Sequence, residues 1–352
     1  MAYTNIDDPS AHFQIANYTG NATDNTAITY DGNSDMQPDF LWFKLQSASG
    51  NHVLFDSNRG TSKYVRSNNT AAETTNGTLL KSFNTDGFTV GTAGNTNSNG
   101  NTLVSWGWKA NGGTTATNND GSITTTTQVN SDAGFSIVTW SGGGTGSLGH
   151  GLGVVPDMWI VKNRDYAVSW AIGFSDSSFL GGTSNYLSLN TTQATLTYNN
   201  LWGSSPVNSS AITMAGDRSV NISGNDYVAY FFKAKQGYSK FGKYVGNGNA
   251  NGPFVYTGFK PAFVMIKNID NGAGQWYMYD NKRDESNVME QALQAQGTNA
   301  EITTSNKLDF VSNGIKHRGS NVTTNQNGST HIYMAFAENP FVTSTGIPTT
   351  AR

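Results

Sequence analysis

The sequence predicts an all-β fold made of three tandem β-sandwich domains, and three observations carry that expectation. One pattern of about 100 residues is written three times, its clearest mark a proline followed six positions later by lysine: Pro38-Asp-Phe-Leu-Trp-Phe-Lys44, Pro156-Asp-Met-Trp-Ile-Val-Lys162 and Pro261-Ala-Phe-Val-Met-Ile-Lys267. Apolar stretches are short, rich in Val, Ile, Phe, Tyr and Trp, and bounded by Gly or Asn turns. Helical periodicity is scarce, confined to Asn287–Gln296, where apolar residues at 288, 289, 292 and 293 predict a short helix.

In chain order, residues 1–113 form the first sandwich, 114–133 a polar linker, 134–236 the second sandwich, 237–341 the third and 342–352 a C-terminal tail. Each copy opens with an aromatic-x-Gly step (Tyr18/Gly20, Trp140/Gly142, Tyr244/Gly246). Each closes on a Gly-led apolar strand: Gly100 to Trp108, Gly224 to Phe232, Gly328 to Phe336. Runs such as Phe40-Leu-Trp-Phe43 and Phe263-Val-Met-Ile266 are apolar at consecutive positions, as in strands covered on both faces. The proline suits a strand start, where its missing N–H costs little. The trailing lysine is expected to leave the sheet into solvent or to lay its stem over a ring. Antiparallel strands with long polar connections point to a jelly-roll-like sandwich of two sheets. The linker, strand-prone from Ile123 to Val129, reads either as a tether or as an added edge strand. The tail reads as an extended arm.

Composition narrows the function. The formal charge is -3 from 21 basic and 24 acidic residues, and only 13% of residues are charged, so no field points to nucleic acid or an anionic membrane. There is no cysteine, which removes disulfides and thiolate metal sites. The N-terminus lacks a signal peptide pattern and no apolar run approaches a membrane span, so a product made in the cytoplasm, without membrane insertion, is expected. The five histidines are scattered without metal spacing, and no metal or cofactor is expected. Asp31-Gly-Asn-Ser-Asp35 and Asn118-Asn-Asp-Gly121 have oxygen-rich spacing but lack the later bidentate glutamate of a twelve-residue calcium loop.

The best side-chain correspondence outside the apolar anchors is Phe55-Asp56-x-x-Arg59 against Tyr279-Asp280-x-x-Arg283. As a sugar clamp, Asp56/Arg59 and Asp280/Arg283 would hydrogen-bond hydroxyls beside an aromatic face. As a structural element, each is a turn-stabilising ion pair, the reading we prefer. The second copy has Phe174-Ser-Asp176-Ser177 here, without arginine. Trp106, Trp108, Trp170, Trp202 and Trp276 are candidates for stacking on sugar rings where exposed, though their strand positions assign most to the core. No nucleophile elbow or phosphate-binding loop is present and no carboxylate pair stands out, so an enzyme is the minority expectation.

The phrases Ala11-His-Phe-Gln-Ile-Ala-Asn-Tyr-Thr-Gly-Asn21, Gly258-Phe-Lys-Pro-Ala-Phe-Val-Met-Ile-Lys267 and Tyr333-Met-Ala-Phe-Ala-Glu-Asn-Pro-Phe341 resemble repeat domains in virion proteins of tailed phages, especially marine cyanophages, of the tail fibre type. The likeness covers nearly the whole chain. It implies a non-enzymatic virion component of concanavalin-like sandwiches on the tail or another external appendage, in contact with other virion proteins. It further implies a homo-oligomer, a trimer foremost, and a host cell-surface glycan as receptor. The competing expectations are a purely structural decoration or adaptor protein of capsid or tail, and a polysaccharide-degrading enzyme.

Overall fold

The computed structural model describes residues 2–198, 201–203 and 207–349. The first repeat contributes β1 (Phe13–Thr19), β2 (Thr26–Ile28), β3 (Phe40–Leu45), β4 (Val53–Asp56), β5 (Lys63–Tyr64), β6 (Thr74–Thr75), β7 (Leu80–Phe83), β8 (Phe88–Val90), a short helix α1 (Gly94–Asn97) and β9 (Thr102–Trp108). Residues 114–133 supply β10 (Ala116–Asn118) and β11 (Thr125–Asn130). The second repeat runs through β12 (Phe135–Ser141), β13 (Gly146–Gly149), β14 (Met158–Asn163), β15 (Ala171–Phe174), β16 (Asn185–Tyr186), β17 (Leu196–Thr197), β18 (Ala211–Met214) and β19 (Asp226–Phe232). The third comprises β20 (Ser239–Val245), β21 (Phe254–Tyr256), β22 (Phe259–Asn268), β23 (Trp276–Asp280), β24 (Met289–Gln294), β25 (Ile302–Val311), β26 (Gly314–His317), α2 (Val322–Asn325) and β27 (Thr330–Pro340).

The protein is all-β, and every repeat builds its principal sheet in the same antiparallel order: β1-β9-β3-β4, β12-β19-β14-β15 and β20-β27-β22-β23. In each, the closing strand inserts between the opening strand and the proline-led one. A second layer follows: β2-β8-β7 in the first repeat and β13-β18 in the second. In the third repeat it is continuous with the principal sheet, giving eight strands ordered β20-β27-β22-β23-β24-β25-β26-β21. The ends of that sheet approach, Lys240 Nζ on β20 donating to the Tyr256 carbonyl on β21 (2.8 Å), so it nearly closes as a barrel. The polar segment 114–133 is no tether: β11 pairs with β12, and β10 with β11, at the edge of the second repeat's sheet.

Because side chains alternate across a strand, each principal sheet has two faces to cover. One packs on its own repeat's second layer, as when Leu41, Phe43 and Phe55 meet Leu80, Phe88 and Val90. Equivalent private cores fill the other two repeats. The opposite faces of all three sheets share one larger core, in which Phe13, Phe40 and Trp108 join Phe135 and Phe232 with Phe263 and Phe336. Phe336 sits at its centre, its ring 5.1 Å from Phe13, 5.5 Å from Trp108, 6.1 Å from Phe232 and 6.4 Å from Phe263. The repeats therefore form a closed ring of three and are not beads on a string.

The aromatic-x-Gly step and the closing glycine pack together in every copy. Gly100 N–H donates to the Gly20 carbonyl, Gly224 to Gly142 and Gly328 to Gly246. A Cβ on Gly20, Gly142 or Gly246 would fall within 2.3 Å of a backbone oxygen, which only glycine avoids. Between these glycines sits a buried asparagine, Asn97, Asn221 or Asn325, three residues before the closing glycine. Its side-chain oxygen takes the N–H of Asn21, Gly143 or Asn247, while its Nδ2 holds loop carbonyls.

Three sequence expectations are corrected. Asn287–Gln296 holds strand β24 and no helix: a register shift between Met289 and Gln291 places Met289, Ala292 and Leu293 inward, mimicking helical spacing. Pro38 and Pro156 precede their strands, but Pro261 lies within β22, where the pairing shifts register and no ladder N–H is needed. The trailing lysines do not reach solvent. Lys44, Lys162 and Lys267 are fully buried.

Candidate functional site

The three lysines show how the ring closes. Each ammonium donates to a carbonyl of its own repeat and to one of a neighbour: Lys44 to Leu45 and Thr298, Lys162 to Val168 and Thr70, Lys267 to Gly274 and Thr192. Three residues beyond each threonine, the N–H of Glu301, Glu73 or Thr195 donates to Gln46, Arg164 or Ile269, two residues beyond the matching lysine. One strand position across, a ring N–H crosses the same junctions: Trp170 Nε1 to Arg66 O (2.8 Å), Trp276 Nε1 to Ser188 O (3.0 Å) and His52 Nε2 with Gln294 O (3.0 Å).

Burial pushes the Lys44 and Lys162 ammonium groups down to about 8 and Lys267 to about 7, from an ordinary 10.5. Their carbonyl partners remain, yet the charge has lost its water. Between these values and 10.5 the unfolded chain binds more protons than the folded one, so folding stability rises with pH. We predict a melting temperature that climbs from about pH 7 to about pH 10 and a slope that flattens in Lys→Met variants at positions 44, 162 and 267. A flat profile in the unsubstituted protein contradicts it. Further alkalinity reverses the trend, since buried Tyr18, Tyr230 and Tyr244 resist ionisation.

The predicted clamp residues lie in these junctions. Arg59 bonds Asp56 (2.6 Å) and Glu73 (3.0 Å), and Tyr230 of the second repeat donates to Asp56 (2.8 Å). Arg283 bonds Asp280 (2.6 Å) and Glu301 (2.8 Å), and Trp106 Nε1 of the first repeat donates to Asp280 (3.0 Å). Both arginine and aspartate side chains are at most 1% exposed, and their polar atoms are spent inside the protein, facing no solvent where a sugar would bind. Trp276 is equally buried, as are Trp106, Trp108, Trp170 and Trp202.

Strand register corrects the alignment in the second repeat. Phe40 faces Asp56 and Phe263 faces Asp280, while the matching Met158 faces Phe174. Phe174 thus replaces the aspartate, Ser177 the arginine and Thr195 the glutamate. Met334, in the shared core with Phe174, stands where the other junctions have Tyr230 and Trp106. The ion cluster has been exchanged for apolar packing as a set.

With the repeated polar residues committed to assembly, the open site lies where the ring lacks symmetry, on the third repeat beside its junction with the first. A cleft of about 690 Å³ is lined by Lys260, Asn281, Asp284, Glu285, Asn287 and Asn339, with Met289 and Phe310 among its walls. The loop 284–287 is shaped by its own bonds. Asp284 accepts the N–H groups of Glu290 and Gln291 (both 2.7 Å), and Asn287 exchanges hydrogen bonds with the Phe310 backbone (2.9 and 2.8 Å). Glu338 is held by Lys260 (2.8 Å) and Asn281 (3.0 Å). Glu285 and Ser286 are exposed in the lining and the half-buried Asn339 amide makes only a long bond to Glu338 (3.5 Å), a setting for hydrogen-bonding a polar, uncharged ligand. A narrower trench continues the cleft past Glu338 and Lys282 to Asp31, along β1.

Among the described residues no three His, Asp or Glu side chains gather to hold a metal ion. No helix among them is long and apolar enough to cross a membrane. The sequence reading missed the Asn97/Asn221/Asn325 series, although the Asn-x-x-Gly spacing before each closing strand carried it. It also missed the cleft, whose residues belong to one repeat only and leave no repeated trace.

Fold and junctions together define a class: an all-β protein whose three copies of one strand pattern close into a ring around a common aromatic core. The chain belongs to the family described as Domain of unknown function (DUF7483), whose model matches residues 8–340, all three repeats in one span. Neither a curated protein nor a solved structure matches it.

Proposed function

We propose that this chain is a virion protein of a tailed phage, tail fibre or tail-associated, that binds a host-surface glycan in the cleft of the third repeat. The cleft is the observation that carries the reading: a large concave site lined by amides, carboxylates and one lysine on a protein whose other distinctive polar residues are buried. Few net charges steer a ligand to it, which suits neutral sugar hydroxyls. We place each repeat among jelly-roll-like, concanavalin-like sandwiches, in keeping with the private core between its two layers. An internal ring of three would let one chain continue the axis of a trimeric fibre, where three copies of a simpler chain would otherwise be needed. We assign binding without catalysis, because Asp284 and Glu338 are tied up by backbone amides, Lys260 and Asn281, leaving Glu285 without a second free carboxylate beside it.

Full-length protein should bind immobilised host envelope polysaccharide, and Glu285→Ala with Asn339→Ala should weaken that binding at least about tenfold, the worth of one lost hydrogen bond to a charged group, without lowering the melting temperature. No binding to host glycans or cells, or unchanged binding by the double variant, overturns the reading. Release of new reducing ends would instead show an enzyme. The adaptor reading keeps one observation of its own, the unpaired edge of β1.

A further inference from the structure

The ring treats its three opening strands differently. In the second repeat β12 is flanked on one side by β19 and on the other by β11, with Gln128 opposite Ile137 and Asn130 opposite Phe135. In the third, β20 pairs with β27, and its outer side carries Lys240 and Lys243, which reach the carbonyls of Tyr256 and Ser178 (2.8 Å each). Lysines of this kind guard a sheet edge. In the first repeat β1 pairs with β9 alone. It reads Phe-Gln-Ile-Ala-Asn-Tyr-Thr, with no charge and no proline to guard it. No described residue makes a hydrogen bond to the β1 backbone on the side away from β9. Phe13, Gln14, Ile15 and Ala16 are only 3–7% exposed, and they border a trench whose two lobes, about 340 and 430 Å³, share Ile15, Asp31 and Lys282.

We propose that the trench is a strand-addition site, in which an extended segment of a partner protein pairs antiparallel with Phe13–Asn17. Three observations specify the occupant. By their pairing with β9 and β19, Phe13–Asn17 correspond to Phe135–Thr139, the stretch that β11 covers. The segment accepted there is Thr125-Thr-Thr-Gln-Val-Asn130, so the guest is a strand of threonine, glutamine and asparagine type. The trench walls carry Asp8, Asp31 and Glu338 together with Lys282, and each of the three carboxylates is already bonded inside the protein, so the guest is uncharged. Main-chain hydrogen bonds supply the affinity in this mode and side-chain pockets the selectivity. Among the described residues the exposed Lys282–Asp31 pair (2.7 Å) and the Asn17 amide bond to Lys282 O (3.1 Å) bridge the mouth, and an exposed pair of that kind yields readily.

The test is amide hydrogen exchange on the full-length protein, free and with a synthetic peptide of the sequence Ile-Thr-Thr-Thr-Thr-Gln-Val-Asn-Ser, taken from residues 123–131. In the free protein the outward amides of Phe13–Asn17 should exchange at least about tenfold faster than those of Phe135–Thr139. The peptide should slow them while leaving Phe135–Thr139 unchanged, and a peptide with proline in place of glutamine should not. Equal protection of the two strands in the free protein overturns the proposal, as does a peptide without effect on β1. Protection of β1 that grows with protein concentration alone overturns the partner strand in favour of a second copy. Glu285 and Asn339 border the trench as well as the cleft, so glycan binding is scored apart, by the Glu285→Ala and Asn339→Ala variant, and strand addition by the β1 amides alone.

Discussion

Phe336→Ala should lower the unfolding free energy by about 3–5 kcal/mol, the range for removing a buried aromatic side chain, and the loss should appear in all three repeats at once. The residue is 2% exposed and its ring meets residues of every repeat: Phe13 and Trp108 of the first, Phe232 of the second, and Tyr238, Phe241 and Phe263 of the third. A cavity here has walls from three sheets, none of which can move inward without breaking lysine clasps at its junctions. Native tryptophans report the repeats separately: Trp42 in the first, Trp159 in the second and Trp276 in the third. Single-tryptophan versions should give one shifted denaturation midpoint. A shift confined to Trp276 would mean that the third repeat stands alone.

Asp280→Ala should cost a similar about 3–5 kcal/mol, the penalty for leaving a buried charge without its partner. Arg283 would keep Glu301 but lose its carboxylate at 2.6 Å, and the Trp106 indole N–H would lose its acceptor. The second repeat supplies the remedy. Asp280→Phe, Arg283→Ser, Glu301→Thr and Trp106→Met together install the set found at the junction of Phe174, Ser177, Thr195 and Met334, and should recover most of the loss. Measured stabilities that simply add would contradict a cluster exchanged as a unit. Replacing buried ion networks by packed apolar groups is often neutral or better, which is why partial substitution should be worse than complete substitution.

Much of this was legible in the sequence. The proline-to-lysine strands, the glycine pairs and the all-β class follow from residues whose backbone demands are local, and local demands repeat when a unit is copied. What lay beyond reach depended on the assembly. Lys44, Lys162 and Lys267 end apolar strands where a lone sandwich would release them to water, and only the neighbouring repeat's carbonyls explain their burial. A sequence offset of one residue, Phe174 set against Phe55, hid the match of Phe174 to Asp56, which the strand register reveals. The bulge in β24 imitated a helix. Of the tryptophans offered as sugar platforms, Trp106, Trp108, Trp170 and Trp276 fill the shared core, which needs aromatic volume on strand faces that a separate sandwich would expose, and Trp202 fills the second repeat's own core.

The ring itself is the central claim, and calorimetry of the intact chain tests it most directly. The van't Hoff and calorimetric enthalpies of unfolding should agree, a ratio of about one, because 352 residues melt as a single cooperative unit. A ratio near about one third, the value for three equal domains that unfold independently, would contradict the shared core and return the chain to beads on a string.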